Sequence, residues 1–174
     1  ALSLGAFATH PASAASPHVL SKVVTLAGHG GATVNAPDWK TSRADGKVTI
    51  LERTGEDTRG AFTTLILAVE EGPTKTEPLD WEAVRDNVLA AAKRAGSDLT
   101  LDLRGTWSGA AAFQGKRLRG TMRSGERVVR VEMIALIASG VLLTITAIGA
   151  EGDDGVGALA DAVAKTATRS APAP

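Results

Sequence analysis

Between Ala110 and Gly149 the chain reverses twice. Ser124-Gly125 and Ser139-Gly140 each read as a two-residue hairpin connection between strands. Taken as tight turns, they specify the pairing. The first sets Met122 opposite Arg127, Thr121 opposite Val128, Arg119 opposite Arg130 and Arg117 opposite Glu132. Side chains alternate along a strand, so Leu118, Met122, Val129, Val131 and Met133 share one face, which the second turn extends through Ala135 and Ile137 to Leu142. Ile134, Leu136, Val141, Leu143 and Ile145 load the other face. Both faces are apolar near the second turn, and each needs a cover.

The rest of the chain supplies candidate covers. Strands are expected at Val19 to Leu26, Ala32 to Ala36, Val48 to Arg53 and Phe62 to Val69, with a turn at Thr54-Gly55-Glu56-Asp57. Leu99, Leu101 and Leu103 alternate with Thr100, Asp102 and Arg104, the mark of a half-buried strand. Trp81, Val84, Val88 and Ala95 recur at helical spacing from Leu79 to Ala95, with Asp80 as cap and Gly96 as stop. A second helix is expected from Val156 to Thr168, capped by Asp153 or Asp154. The expected fold is α+β: an antiparallel β-sheet flanked by helices on both faces, an α/β/α sandwich with one end of its arginine-bearing face uncovered. At 174 residues one domain is expected, over residues 19-169, with a loose tail at 170-174. Aromatic residues make up only 3%, so aliphatic side chains must fill most of the core, with Trp39, Trp81 and Trp107 as packing anchors.

The order of elements, with the apolar-x-x-Pro-x-Trp segment Val34-Asn35-Ala36-Pro37-Asp38-Trp39, resembles the PsbP/Mog/DcrB superfamily from about Ala32 to Arg169. That resemblance implies the sandwich fold and a binding or assembly role. It implies no shared catalytic motif.

Chemistry is constrained by what the chain lacks. It has no cysteine and no tyrosine, and no histidine after His29, which removes thiolate nucleophiles, soft metal ligands and a base of near-neutral pKa from most of the chain. No catalytic residue, metal or cofactor is expected. A hydrolase using Ser and carboxylates is the outlying alternative. Nineteen basic residues balance nineteen acidic ones, so no global field favours nucleic acid. Glu151-Gly152-Asp153-Asp154-Gly155 lacks the spacing of a calcium loop and reads as helix capping; His29-Gly30-Gly31 reads as a turn.

The strongest local signal is the stretch from Lys116 to Arg130, with six basic residues against Glu126 alone, a net charge of +5. In the expected register Arg119 and Arg130 are opposed like charges, which an anionic partner would relieve. Arg117, Arg119, Arg123 and Arg130 are therefore the expected partner-binding residues, with Trp107, in the bend Gly105-Thr106-Trp107-Ser108-Gly109, as the candidate aromatic contact. Leu2 to Ala8 followed by Ala12-Ser13-Ala14 reads as the remnant of an export signal over residues 1-18, or else a flexible terminus. No run reaches the ~20 apolar residues of a membrane span. The expected function is a non-enzymatic periplasmic, envelope or secreted protein that binds a protein or an anionic or amphipathic partner. An adaptor or chaperone for an apolar segment is the alternative.

Overall fold

The computed structural model describes residues 18-53, 63-74 and 79-170. Residues 1-17 of the expected signal remnant, the turn at 54-57 and the tail beyond Ser170 lie outside them. The chain runs β1 (Lys22–Leu26), a short 3₁₀ turn (Gly28–Gly30), β2 (Ala32–Ala36), β3 (Lys40–Ala44), β4 (Val48–Glu52), β5 (Thr64–Glu71), α1 (Trp81–Arg94), β6 (Asp98–Trp107), β7 (Gln114–Ser124), β8 (Arg127–Ala138), β9 (Val141–Ala150), α2 (Gly155–Ala164) and β10 (Thr168–Arg169). Seven strands form one antiparallel sheet in the order β3-β4-β5-β9-β8-β7-β6, and β1-β2-β10 form a second, smaller one.

This architecture overturns the α/β/α sandwich, and with it the fold that the superfamily resemblance implied. Strand accounts for 52% of the described residues and helix for 19%. The cover over one face of the large sheet is largely another sheet. Leu26 and Val34 from the small sheet, together with Leu159 and Val163 of α2, pack on Leu51, Leu65, Leu67, Ile134, Leu136, Leu143 and Ile145. The expected second helix stops at Ala164 because the chain must then extend to pair Thr168 with Thr33 and Arg169 with Ala32. On the other face α1 lies over Leu101, Leu118, Val131, Met133 and Ile137, to which Trp81, Val84, Val88 and Leu89 contribute as partly buried contacts. No residue of α1 is fully buried, whereas α2 buries six. Asp80 caps α1 as expected, accepting from the Ala83 N–H at 3.1 Å.

The register of the first hairpin also differs from the expected one. Ser124 pairs with Arg127, so the loop is Gly125-Glu126, and Gly125 takes φ 63 at its first position. A type II′ turn wants glycine at that place, whereas a Ser124-Gly125 loop would put glycine second. The whole strand thus slips by two residues. Arg119 faces Glu132 and Arg130 faces Thr121, so the like-charge opposition does not exist. A two-residue slip preserves which face each side chain occupies, so the apolar pattern survives intact. The second hairpin turns at Ser139-Gly140 as expected, with Ile137 opposite Leu142.

Candidate functional site

The small sheet and α2 cover the middle of their face of the large sheet and leave its β7-β6 end open. That end carries the charged residues. Arg117, Arg119 and Arg123 alternate along β7, opposite in facing to Leu118 and Met122, and Arg130 and Glu132 come up beside them from β8.

Glu132 organises the group. Its side chain is only 1% exposed. Oε1 accepts from Arg119 Nε at 2.6 Å, from Arg130 Nε at 3.0 Å and from Arg130 Nη2 at 2.7 Å, while Oε2 is buried with no partner among the described residues. Gly157 in the first turn of α2 lies over this carboxylate: a Cβ there would sit 3.5 Å from Glu132 Cδ. Arg130 also donates Nη1 to Asp154 Oδ1 at 2.9 Å, but Asp154 is 97% exposed and that contact is well screened. The Arg130 guanidinium is held above its ordinary value first by its bonds to Glu132, against a smaller opposing effect of burial.

Arg119 is placed differently. Its side chain is about half exposed, at 47%, and its terminal nitrogens have no partner among the described residues. With Arg130, Arg104, Thr100, Thr121 and the acids Asp102 and Glu151, it lines a shallow groove of about 440 Å³. The Thr100 and Thr121 hydroxyls meet across the strands at 3.1 Å. Arg104 stands 3.7 Å from Asp102 and Arg123 3.8 Å from Asp98, all four side chains at least half exposed. Such pairs contribute little and exchange readily for a partner's charge.

Trp107 and Arg117 form a second group on the same face. Both donate to Asp161 Oδ1 of α2 at 2.8 Å, and Lys165 reaches Oδ2 at 2.7 Å. Burial pushes the Asp161 carboxyl up, but the bonds from Lys165 and Trp107 and the charges of Lys165 and Arg117 outweigh it, leaving the value below the ordinary 3.8. Trp107 is 5% exposed. Its ring is flanked by Gly115 and Gly109, where a Cβ would fall 2.7 Å and 3.0 Å from ring atoms. The bend expected there is present as a register shift between Leu103 and Thr106. Trp107 thus serves as an anchor between sheet and helix, with little surface to offer a ligand.

The structure brings together Arg119 and Arg130 and separates them from Arg117, which belongs to the Asp161 group. Arg123 stands further along β7. Glu132, expected opposite Arg117, instead meets Arg119 and Arg130, and Asp161 is the residue the sequence reading passes over; the acid spacing carries no local signal for it, 44 residues from Arg117. Asp153 takes the capping role expected of the acidic loop, its Oδ1 accepting from Gly155 N–H at 2.8 Å. Among the described residues no helix is long and apolar enough to cross a membrane.

No family model matches the chain, and no curated protein matches it. In fold it is similar to a crystal structure from Bacteroides thetaiotaomicron VPI-5482 determined at 1.50 Å, with a TM-score of 0.51 and 8% identity, covering 80% of this chain and 45% of that one. The chain therefore spans a little under half the length of that structure, and a likeness at this identity is one of fold.

Proposed function

We propose that the chain is a non-enzymatic, exported binding domain that presents the open β7-β6 end of its large sheet to a partner carrying negative charge, an acidic protein segment or an anionic head group. The observation that carries this reading is Arg119. Glu132 takes only its Nε, which orients the guanidinium and leaves its outer nitrogens toward the groove, where a carboxylate or phosphate can accept two parallel bonds. Arg104 and Arg123, only loosely paired, add positive charge on either side. Burying a carboxylate to hold two arginines is a poor way to gain stability, since apolar residues of similar volume do as well or better. It is an effective way to fix where a guanidinium points.

The test compares an acidic peptide's binding to the native chain with its binding to an Arg119→Gln, Arg123→Gln variant. Both side chains are exposed enough to change without disturbing the core, so loss of binding reports on the surface itself. Equal binding by both proteins overturns the reading.

A further inference from the structure

A larger cleft, of about 580 Å³, opens on another part of the molecule, where the chain leaves the small sheet after β2 and enters the large one. Its volume lies in the range of small-molecule sites. We propose that this cleft binds a small zwitterion, a free amino acid or a short peptide, with its ammonium and carboxylate groups held at opposite charges of the cleft wall.

Three observations support that chemistry. First, Arg53 and Asp38 both line the cleft, yet neither makes an ion pair or a side-chain hydrogen bond with a described residue. Opposite charges that share a cleft without meeting each other leave room for a molecule carrying both complementary charges. Second, Thr63 also lines the cleft, is nine-tenths buried at 9% exposure, and its hydroxyl has no partner among the described residues. The hydroxyl itself is still reached by solvent, so a bound ligand's polar group can meet it. Third, the remaining wall has two kinds of surface. Asp153 uses Oδ1 on the Gly155 N–H and keeps Oδ2 for a second contact to an ammonium. The half-buried Trp39 ring, edge to face with His18 at 6.5 Å, offers an aromatic surface of the kind that attracts such a cation. Val19 and the Trp39 ring give the carbon skeleton apolar surface between the charged ends, backed by the buried Val156 and Leu159. Among the described residues of the lining, one guanidinium and two carboxylates match the ends of an amino acid or peptide, where a simple anion would meet two repulsive charges.

The site is independent of the arginine face. Isothermal titration of the native protein with leucine and with dileucine distinguishes the two sources of this chemistry, and the same ligands N-acetylated or C-amidated test each end. We expect one of the two zwitterions to bind, and either cap to weaken it by about tenfold or more, as loss of one charge-assisted contact should. Arg53→Gln should weaken binding similarly and become indifferent to amidation. Asp38→Asn should do the same and become less sensitive to acetylation. Thr63→Val should weaken binding several-fold, and Arg119→Gln should leave it unchanged. No heat of binding from either zwitterion at millimolar concentration, or binding that ignores both caps, would overturn the proposal.

Discussion

Arg119 stands directly across the β7-β8 ladder from Glu132, its Nε 2.6 Å from Oε1. The carboxylate is inside the protein and the guanidinium is half outside, so the pair spans the boundary between core and surface. The two partners should respond differently to removal. Glu132→Ala leaves Arg130, only 15% exposed, without its main counter-charge, and should lower the unfolding free energy by about 3 kcal/mol. Arg119→Ala leaves Arg130 still bonded to the same oxygen and should cost about 1 kcal/mol or less. Urea unfolding of the two variants measures this, and equal losses would mean that Glu132 is not the centre of the group.

Gly120 sets how closely β6 approaches β7. A Cβ built there falls 1.7 Å from the Thr100 carbonyl oxygen, a backbone atom that cannot move without opening the ladder. Gly120→Ala should therefore destabilise by about 2-3 kcal/mol, at the upper end of overpacking effects. Gly105 is in the same region, and a Cβ added to it would have nothing within 4 Å, so Gly105→Ala should be neutral or slightly stabilising, through a less flexible unfolded chain. Thermal unfolding of the pair gives the comparison.

Asp161 supplies the pH dependence. Its folded value is below the ordinary 3.8, so as pH falls the unfolded chain takes up the proton first. The stability it confers is complete above the unfolded value, near pH 4, and is lost as pH falls through the lower folded value. Asp161→Asn should thus flatten the decline of stability below pH 4 while lowering stability at neutral pH, where the Lys165 and Arg117 contacts are weakened. Unfolding curves between pH 2 and pH 7 decide it: identical acid limbs for native and variant would remove Asp161 from the account.

How legible these features are depends on how local their causes are. Helix α1 can be read from the spacing of Trp81, Val84 and Val88 and from the Asp80 cap, all within one segment. The apolar faces of β7, β8 and β9 are legible for the same reason. The register of the first hairpin is not, because a slip of two residues leaves every side chain on its expected face, and only the conformational need of Gly125 chooses between the alternatives. Strand β3, Lys-Thr-Ser-Arg-Ala, is exposed at every position and has no apolar alternation to reveal it. The small sheet closes through Thr168 and Thr33, far apart in sequence, and that distant pairing turns an expected layer of helix into a layer of sheet. At the site the arginines are visible as a cluster, but which acid each one meets follows from the register and from where α2 lands.

The central claim is that Arg119 is oriented for a partner's negative charge. Fluorescence anisotropy of a labelled oligoglutamate peptide, titrated with the native chain and with the Arg119→Gln, Arg123→Gln variant at low and moderate salt, tests it most directly. The account predicts saturable binding that weakens with salt and falls by about tenfold or more in the variant, the loss of one charge-assisted fork and one flanking charge. Binding of equal strength by native chain and variant, or no binding by the native chain at low salt, would contradict it.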